Sequence, residues 1–384
     1  MKILLYSHDW APTIGGVQTI TMSLAKELAN SVDSSSAERT EVTLVTPTAQ
    51  AGMNDSELPF RVVRSPGFFE LLKLIRGADL IHLAGPILKP LALAVMLRKR
   101  VVVEHHGFQA ICPNGQLFFT VTQSRCPGYF MMGQHTKCLA CNRPLGVFAT
   151  FSKWLATFPR RILCKFVDAN ITPTNWLADQ LKLPRTQTIY HGIPLSAGST
   201  AALKPPIRFA FLGRLVASKR IPVLLAAAKE LHTMDQSFQL LIIGDGPERE
   251  ALENLAQQYE LSGCVSFTHY LDDNQLNDTL ALVASVVIPS GSGEVFNLAA
   301  AENMRHGRIA IVPSGSAVAE VAGDAGVSFS EGDASSLAKA MKSIIENSEL
   351  RESLSQAARD RCQRLFPDEI MVRAHLDLYR SLAV

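Results

Sequence analysis

The chain has 384 residues, 47% of them hydrophobic and 19% charged, with a formal net charge of +2. That length predicts two domains of roughly 100–200 residues each, the composition excludes a disordered chain, and the balanced charge excludes the concentrated basic face that nucleic-acid binding needs. Residues 1–7 lack the apolar segment of a signal peptide, and the apolar run 87–97, broken by Lys89 and Pro90, falls short of the roughly 20 residues that cross a bilayer, so a cytoplasmic chain is expected.

In chain order, Lys2–Ser7 reads as a short buried strand, followed by the turn Pro12-x-x-Gly15-Gly16 and a helical stretch over 19–28. Paired glycines let a backbone approach a phosphate, and the helix start behind Gly15 and Gly16 offers free N–H groups; a tight turn without a ligand explains them equally well. Further apolar strands are expected at 42–46, 80–83, 101–104 and 169–172, with helices between them, a pattern that implies a parallel sheet covered on both faces. Glu104-His105-His106-Gly107 closes one of these strands. A strand-end His106 is suited to bonding a ligand hydroxyl or, through its carbonyl, to steadying positive charge, against the plainer reading of a packed histidine, to which His82 and His191 are assigned.

Four of the seven cysteines, Cys112, Cys126, Cys138 and Cys141, crowd one loop-like stretch, and the last two form C-x-x-C. A structural metal and free thiols packing a long loop are both open readings. Residues 152–166 mix Trp154, Phe158 and Phe166 with Lys153, Arg160, Arg161 and Lys165, a combination suited to an anionic lipid surface, or to an ordinary helix with its aromatics inward; Pro159 argues against one continuous helix.

Residues 196–206, small, polar and proline-ended, read as a linker, after which the strand–helix pattern restarts with strands at 208–212, 239–243, 265–268, 286–289 and 309–313. Gly213-Arg214-Leu215 with Lys219 sets two cations beside a helix start, where a diphosphate is neutralised, though solvated surface charges give the same pattern. Gly244-Asp245-Gly246-Pro247 marks another strand end. The strongest signal is 290–302, a glycine-rich turn entering a helix, with Glu294 and Glu302 two helical turns apart and able to accept hydrogen bonds from several hydroxyls. The tail from 368 to 382 reads as a last helix.

Taken together and in this order, the motifs resemble the large family of retaining GT-B glycosyltransferases with a Glu-(seven residues)-Glu pair, glycosyl transferases group 1, over nearly the whole chain. The resemblance implies an α/β fold of two Rossmann-like domains with parallel sheets facing across a cleft: 1–195 on the acceptor side, the linker 196–206, a donor domain 207–367, and a C-terminal helix 368–384 packing back on the first domain. It implies transfer of a sugar from a nucleotide-diphosphate sugar to a sugar or lipid-linked acceptor, in surface polysaccharide or glycolipid synthesis, with peripheral contact at the inner membrane surface. By resemblance Gly15 and Gly16 approach the donor phosphates or the acceptor, Arg214 and Lys219 hold the pyrophosphate, Glu294 binds the donor sugar, Glu302 the ribose, and His106 lies beside the reacting carbon. His106 and Glu294 are thus the catalytic pair; no metal or cofactor is required. Asn297, Arg220 and His269 stand where the family has glycine, and Arg308-Ile309 where it has a proline-containing turn. A side chain at Asn297 is expected to crowd the donor, which keeps a non-catalytic nucleotide-sugar-binding subunit, and a sugar-nucleotide epimerase, as rival readings.

Overall fold

The computed structural model describes residues 1–11, 15–30, 40–50, 54–193 and 205–383. Pro12 to Ile14 of the first glycine turn and all of the expected linker except Pro205 and Pro206 lie outside them. The chain divides into two compact units, one of 1–117, 127–194 and 367–384, the other of 118–126 and 195–366.

The first unit begins β1 (Lys2–Ser7), α1 (Gly16–Asn30), β2 (Glu41–Thr46), β3 (Arg61–Arg64), α2 (Phe68–Gly77), β4 (Leu80–Ala84), α3 (Leu88–Met96) and β5 (Arg100–Glu104). A short antiparallel pair, β6 (Phe118–Phe119) and β7 (Ser124–Arg125), interrupts it and belongs to the second unit. The first unit resumes with α4 (His135–Asn142), α5 (Val147–Leu163), β8 (Ala169–Thr172), α6 (Asn175–Leu181) and β9 (Thr186–Thr188). Its seven strands are parallel in the order β3-β2-β1-β4-β5-β8-β9. The inner strands are near-continuous apolar runs because helices cover both faces of a parallel sheet: in β1 only Lys2 is exposed, and Leu5, Leu44, Ile81 and Val102 are inaccessible.

The second unit runs β10 (Ile207–Leu212), α7 (Ile221–Thr233), β11 (Phe238–Ile243), α8 (Arg249–Gln258), β12 (Val265–Thr268), α9 (Asp273–Ala281), β13 (Ser285–Val287), α10 (Leu298–Arg305), β14 (Ile309–Pro313), α11 (Ala317–Ala322), β15 (Gly326–Phe329), α12 (Ala334–Glu346) and α13 (Ser348–Leu365). Its sheet is parallel in the order β12-β11-β10-β13-β14-β15. Phe209, Phe238, Leu224, Leu225, Met341 and Ile344 form the centre of its core. The α/β class and the two Rossmann-like halves are therefore those expected.

The final helix, α14 (Asp368–Ala383), groups with the first unit. Gly192 meets it so closely that a Cβ there would stand 2.7 Å from the Asp368 Cα. The Gly192 N–H also donates to Met371 Sδ at 3.1 Å.

Candidate active site

In an open parallel sheet the order of strands reverses at one point, and the loops leaving the strand ends there diverge and leave a crevice. In the second sheet that point lies between β10 and β13. The chain leaving β10 passes Gly213 and Arg214 to Lys219; the chain leaving β13 passes the 290–293 turn to Glu294. Topology thus brings together two side chains 75 residues apart, and Lys219 Nζ donates to Glu294 Oε1. Glu294 is buried and Lys219 half-buried, and both line a pocket with Leu212, Ser290, Asn297 and Ala300. An ion pair so placed is shielded from solvent enough to matter.

The turn that carries Glu294 is internally braced. The Ser292 N–H donates to Ser290 Oγ at 3.1 Å, the Ser290 hydroxyl donates to Ser292 O at 3.2 Å, and Gly293 has φ 75°. Phe296, fully buried, anchors the segment edge-on against Phe366 at 5.3 Å. The sequence reading missed Glu331, which follows β15. It accepts from the Gly291 N–H at 3.1 Å and lies 3.7 Å from the Arg220 guanidinium. Its only sequence signal is a carboxylate at a strand end followed by Gly332.

Gly244 fixes the second loop against the first. The Gly213 N–H donates to Ile243 O at 3.0 Å and that of Leu215 to Asp245 O at 2.8 Å, so the two loops pair backbone to backbone. A Cβ on Gly244 would lie 2.1 Å from Gly213 O, and one on Gly246 2.3 Å from Leu215 O. The Gly-Asp-Gly-Pro motif is thus the support of the Arg214–Lys219 loop. His269, one of the glycine replacements, pairs with Asp245 at 2.8 Å on the exposed rim.

Asn297 does not stand in the pocket as an obstacle alone. It takes the left-handed conformation, φ 71°, which Asn tolerates better than most residues, and its Oδ1 accepts from the Ala300 N–H at 2.8 Å as the N-cap of α10. It also lines the pocket and occupies one of the helix-start donors that an anion would use. Arg220, the other glycine replacement, has φ 53°. Glu302 lies on α10, and burial pushes its carboxyl pKa up. Among the described residues Glu302 forms no hydrogen bond or ion pair with Lys219 or Glu294, and the exposed Arg214 side chain forms none with either.

In the first unit Gly15 closes the glycine turn by accepting from the Thr19 N–H at 3.0 Å, and Gly16 opens α1. His106 stacks on His191 with ring centroids 5.2 Å apart, its Nε2 3.7 Å from Glu104 Oε2. Burial lowers its pKa, an effect only partly offset by Glu104, so the ring is neutral near pH 7. His105 Nε2 lies 2.9 Å from Asn170 Oδ1, and burial brings its pKa down to about 4. Cys112, Cys126, Cys138 and Cys141 are buried and form no disulfide; Cys112 Sγ donates to Asn114 Oδ1 at 3.0 Å, and the Asn114 carboxamide donates to Cys141 Sγ at 3.3 Å.

Helix α5 runs unbroken through Pro159, contrary to the interruption expected there. Trp154 and Phe158 turn inward, the latter 4.8 Å from Phe130. The outward face leaves Val147, Phe148, Phe151, Leu155 and Ile162 exposed, Phe148 at 92%, with Phe166 beyond the helix end. No helix among the described residues is long and apolar enough to cross a membrane.

Comparison with known proteins agrees with this arrangement. Residues 197–361 match the family described as glycosyl transferases group 1. Glycogen synthase of Mycobacterium tuberculosis is 26% identical over 202 residues, 51% of this chain and 49% of that enzyme. O-antigen chain mannosyltransferase C of Escherichia coli is 28% identical over 178 residues, 45% of this chain and 46% of the relative. The matched segment thus spans about half the length of these curated relatives. Among solved structures, sucrose-phosphate synthase of Thermosynechococcus elongatus superimposes with a TM-score of 0.71 at 19% identity, covering 99% of this chain and 98% of that one. HepE of Anabaena, solved in complex with UDP and glucose, gives a TM-score of 0.69 at 16% identity over 99% and 100% of the two chains. These likenesses establish a GT-B glycosyltransferase fold.

Two outcomes follow from the packing and protonation described. Gly244→Ala, forced against Gly213 O at φ 133°, is expected to destabilise the second unit by about 3 kcal/mol in urea unfolding, whereas Gly263→Ala, with nothing within 4 Å of its Cβ, should change little. Equal effects would dissociate Gly244 from loop support. Burial holds His105 at about 4 and His191 at about 3, below the unfolded value of about 6.5. The unfolded chain therefore binds protons first, and Tm should fall as pH drops below about 6.5 towards 4; a Tm unchanged between pH 7 and pH 5 contradicts it.

Proposed function

We propose that the chain, whose residues 197–361 match the glycosyl transferases group 1, transfers a sugar from a nucleotide-diphosphate sugar to a sugar or lipid-linked acceptor with retention of anomeric configuration. The observation that carries the reading is the Lys219–Glu294 pair at the strand-reversal point of the second sheet, lining a pocket beside the start of α10. Without a donor each group neutralises the other. A sugar diphosphate offers both a better partner, since its phosphates take Lys219 and its sugar hydroxyls donate to Glu294.

The chemistry assigned to the site is a front-face displacement. The bond from the anomeric carbon to the diphosphate oxygen breaks, the acceptor oxygen attacks from the same face, and the departing diphosphate takes the acceptor's proton. The protein's share is electrostatic: Lys219 and Arg214 stabilise the negative charge that builds on the leaving group, with the dipole of α10 adding to them. Glu294 orients the sugar, and Glu302 is assigned to the nucleotide ribose. His106 is assigned to the acceptor side, where its neutral ring adds no positive charge beside a developing oxocarbenium ion. Gly15 and Gly16 are assigned to donor phosphate or acceptor approach.

A lipid-linked acceptor would give the outward face of α5 a use. Phe148, Phe151, Leu155 and Ile162 are exposed along one helix that also bears Lys153 and Arg161. Monomeric proteins seldom leave such a stripe bare, and an exposed apolar helix face suits the interface of a bilayer.

A panel of nucleotide sugars with sugar and lipid-linked acceptors tests the activity. Lys219→Ala and Glu294→Ala are each expected to lower kcat/KM by at least about 100-fold while the fold is retained; donor binding without transfer by the wild-type protein would instead identify a non-catalytic binding subunit. The membrane reading is tested by co-sedimentation with anionic liposomes, where Phe148→Ser/Phe151→Ser should release the protein and neutral liposomes should bind less. Equal partitioning of the variant would remove α5 from membrane contact.

A further inference from the structure

Apart from any donor site, the first unit buries a carboxylate among imidazoles. Glu104, at the end of β5, is 1% exposed, and neither His82 on β4 nor His375 on α14 exceeds that. Glu104 Oε2 lies 3.1 Å from His82 Nε2 and 3.7 Å from His375 Nε2, and the three ligand atoms all fall within 4.8 Å of one another.

The hydrogen bonds on the far sides of these rings determine what the near sides present. His375 Nδ1 lies 2.8 Å from Met371 O. A carbonyl only accepts, so Nδ1 carries the proton and the neutral ring turns a lone pair on Nε2 towards Glu104. That Nε2 is buried with no hydrogen-bond partner, as is Glu104 Oε1. His82 Nε2 lies 3.1 Å from Glu104 Oε2, which as a carboxylate only accepts, so Nε2 carries the proton and the buried Tyr379 hydroxyl donates to Nδ1 at 2.7 Å; a cation that displaces the Nε2 proton would reverse this, with Tyr379 then accepting from Nδ1. The His375 Nε2 lone pair and Glu104 Oε1 are thus left buried and unpartnered beside a carboxylate, a cost that a cation between them would remove.

We propose that His82 Nε2, Glu104 Oε2 and His375 Nε2 bind a zinc ion that ties α14 to β4 and β5. Two imidazole nitrogens and one carboxylate oxygen form a zinc set, whereas magnesium and calcium call for more oxygens. Bonds of about 2.0–2.1 Å in a tetrahedron separate neighbouring ligand atoms by about 3.3 Å, which lies between the two Glu104 distances observed. Tyr379 and Met371 O are the outer partners that such histidines need for their tautomer to be fixed. The fourth position is open to water. Its ligand Glu104 also neighbours His106, 3.7 Å away, but zinc binding is read out without any sugar-transfer assay, so the two readings fail separately.

The purified full chain, stripped with dipicolinate and reloaded with zinc chloride, is expected to bind about one zinc ion per chain by elemental analysis and to gain about 5 °C in Tm. Tyr379→Phe should weaken zinc binding about tenfold, and His375→Ala should abolish it. Cys138→Ser should leave it intact, since the cysteines are a separate candidate set. Because His375→Ala strikes a buried position, the cobalt(II)-loaded wild-type protein supplies a check free of any substitution. Tetrahedral d–d bands without a thiolate charge-transfer band support the site. No bound metal with an unchanged Tm, a thiolate charge-transfer band, or zinc lost in Cys138→Ser but kept in Tyr379→Phe and His375→Ala would overturn it.

Discussion

A lysine and a glutamate meeting at the reversal point of the second sheet are the constraint on which the rest of the site depends. Glu294 lies in a loop and Lys219 ends a single 3-10 turn, Ala217–Lys219, and each follows a strand end that dictates the course of the chain. Lys219 stays in place because Gly244 and Gly246 let the loop after β11 pack against the loop after β10 with no side chain between them. Glu294 stays in place because Ser290 and Ser292 brace their turn, Glu331 accepts from Gly291, and Phe296 is locked under Phe366. The apolar core of the second unit thus serves to hold two opposite charges at hydrogen-bonding distance over a pocket.

The two units share a strand order but load it differently. At the strand ends of the second, polar groups are partly exposed and paired loosely enough for a ligand to replace one partner: Lys219, Arg220 and the exposed Arg214 are all cations at a loop surface. At the strand ends of the first, Glu104, His82, His105 and His191 are buried. The first arrangement suits a charged ligand that comes and goes; the second suits permanent organisation of the core, and α14 returns to it through His375 and Tyr379. Evolving one topology with exposed polar ends and another with buried ones separates binding from architecture within one chain.

What could be read from the sequence follows burial. Inner strands such as β1, β4, β10 and β14 are near-continuous apolar runs and stand out, whereas β3 (RVVR), β9 (TQT) and β15 (GVSF) escaped notice, each an edge strand with one side unpaired and polar residues in place of the run. Lys219 and Glu294 were visible as residues, since each follows a strand and a glycine turn, but their contact was not, because it depends on strand order across 75 residues. Asn297 was expected to obstruct; the positive φ that turns its side chain onto the Ala300 N–H is a backbone property that composition does not reveal. His82 was read as a packed histidine and is buried and hydrogen-bonded, but which groups it meets was not legible. Its partners Glu104 and Tyr379 lie 22 and 297 residues away.

The central claim is that Lys219 exchanges Glu294 for a diphosphate. It is tested most directly by a crystal structure of the protein with a nucleoside diphosphate sugar. The account predicts the diphosphate against Lys219 and Arg214 at the start of α10, with Glu294 released to the sugar hydroxyls. A nucleotide bound elsewhere, with Lys219 still paired to Glu294, would contradict it.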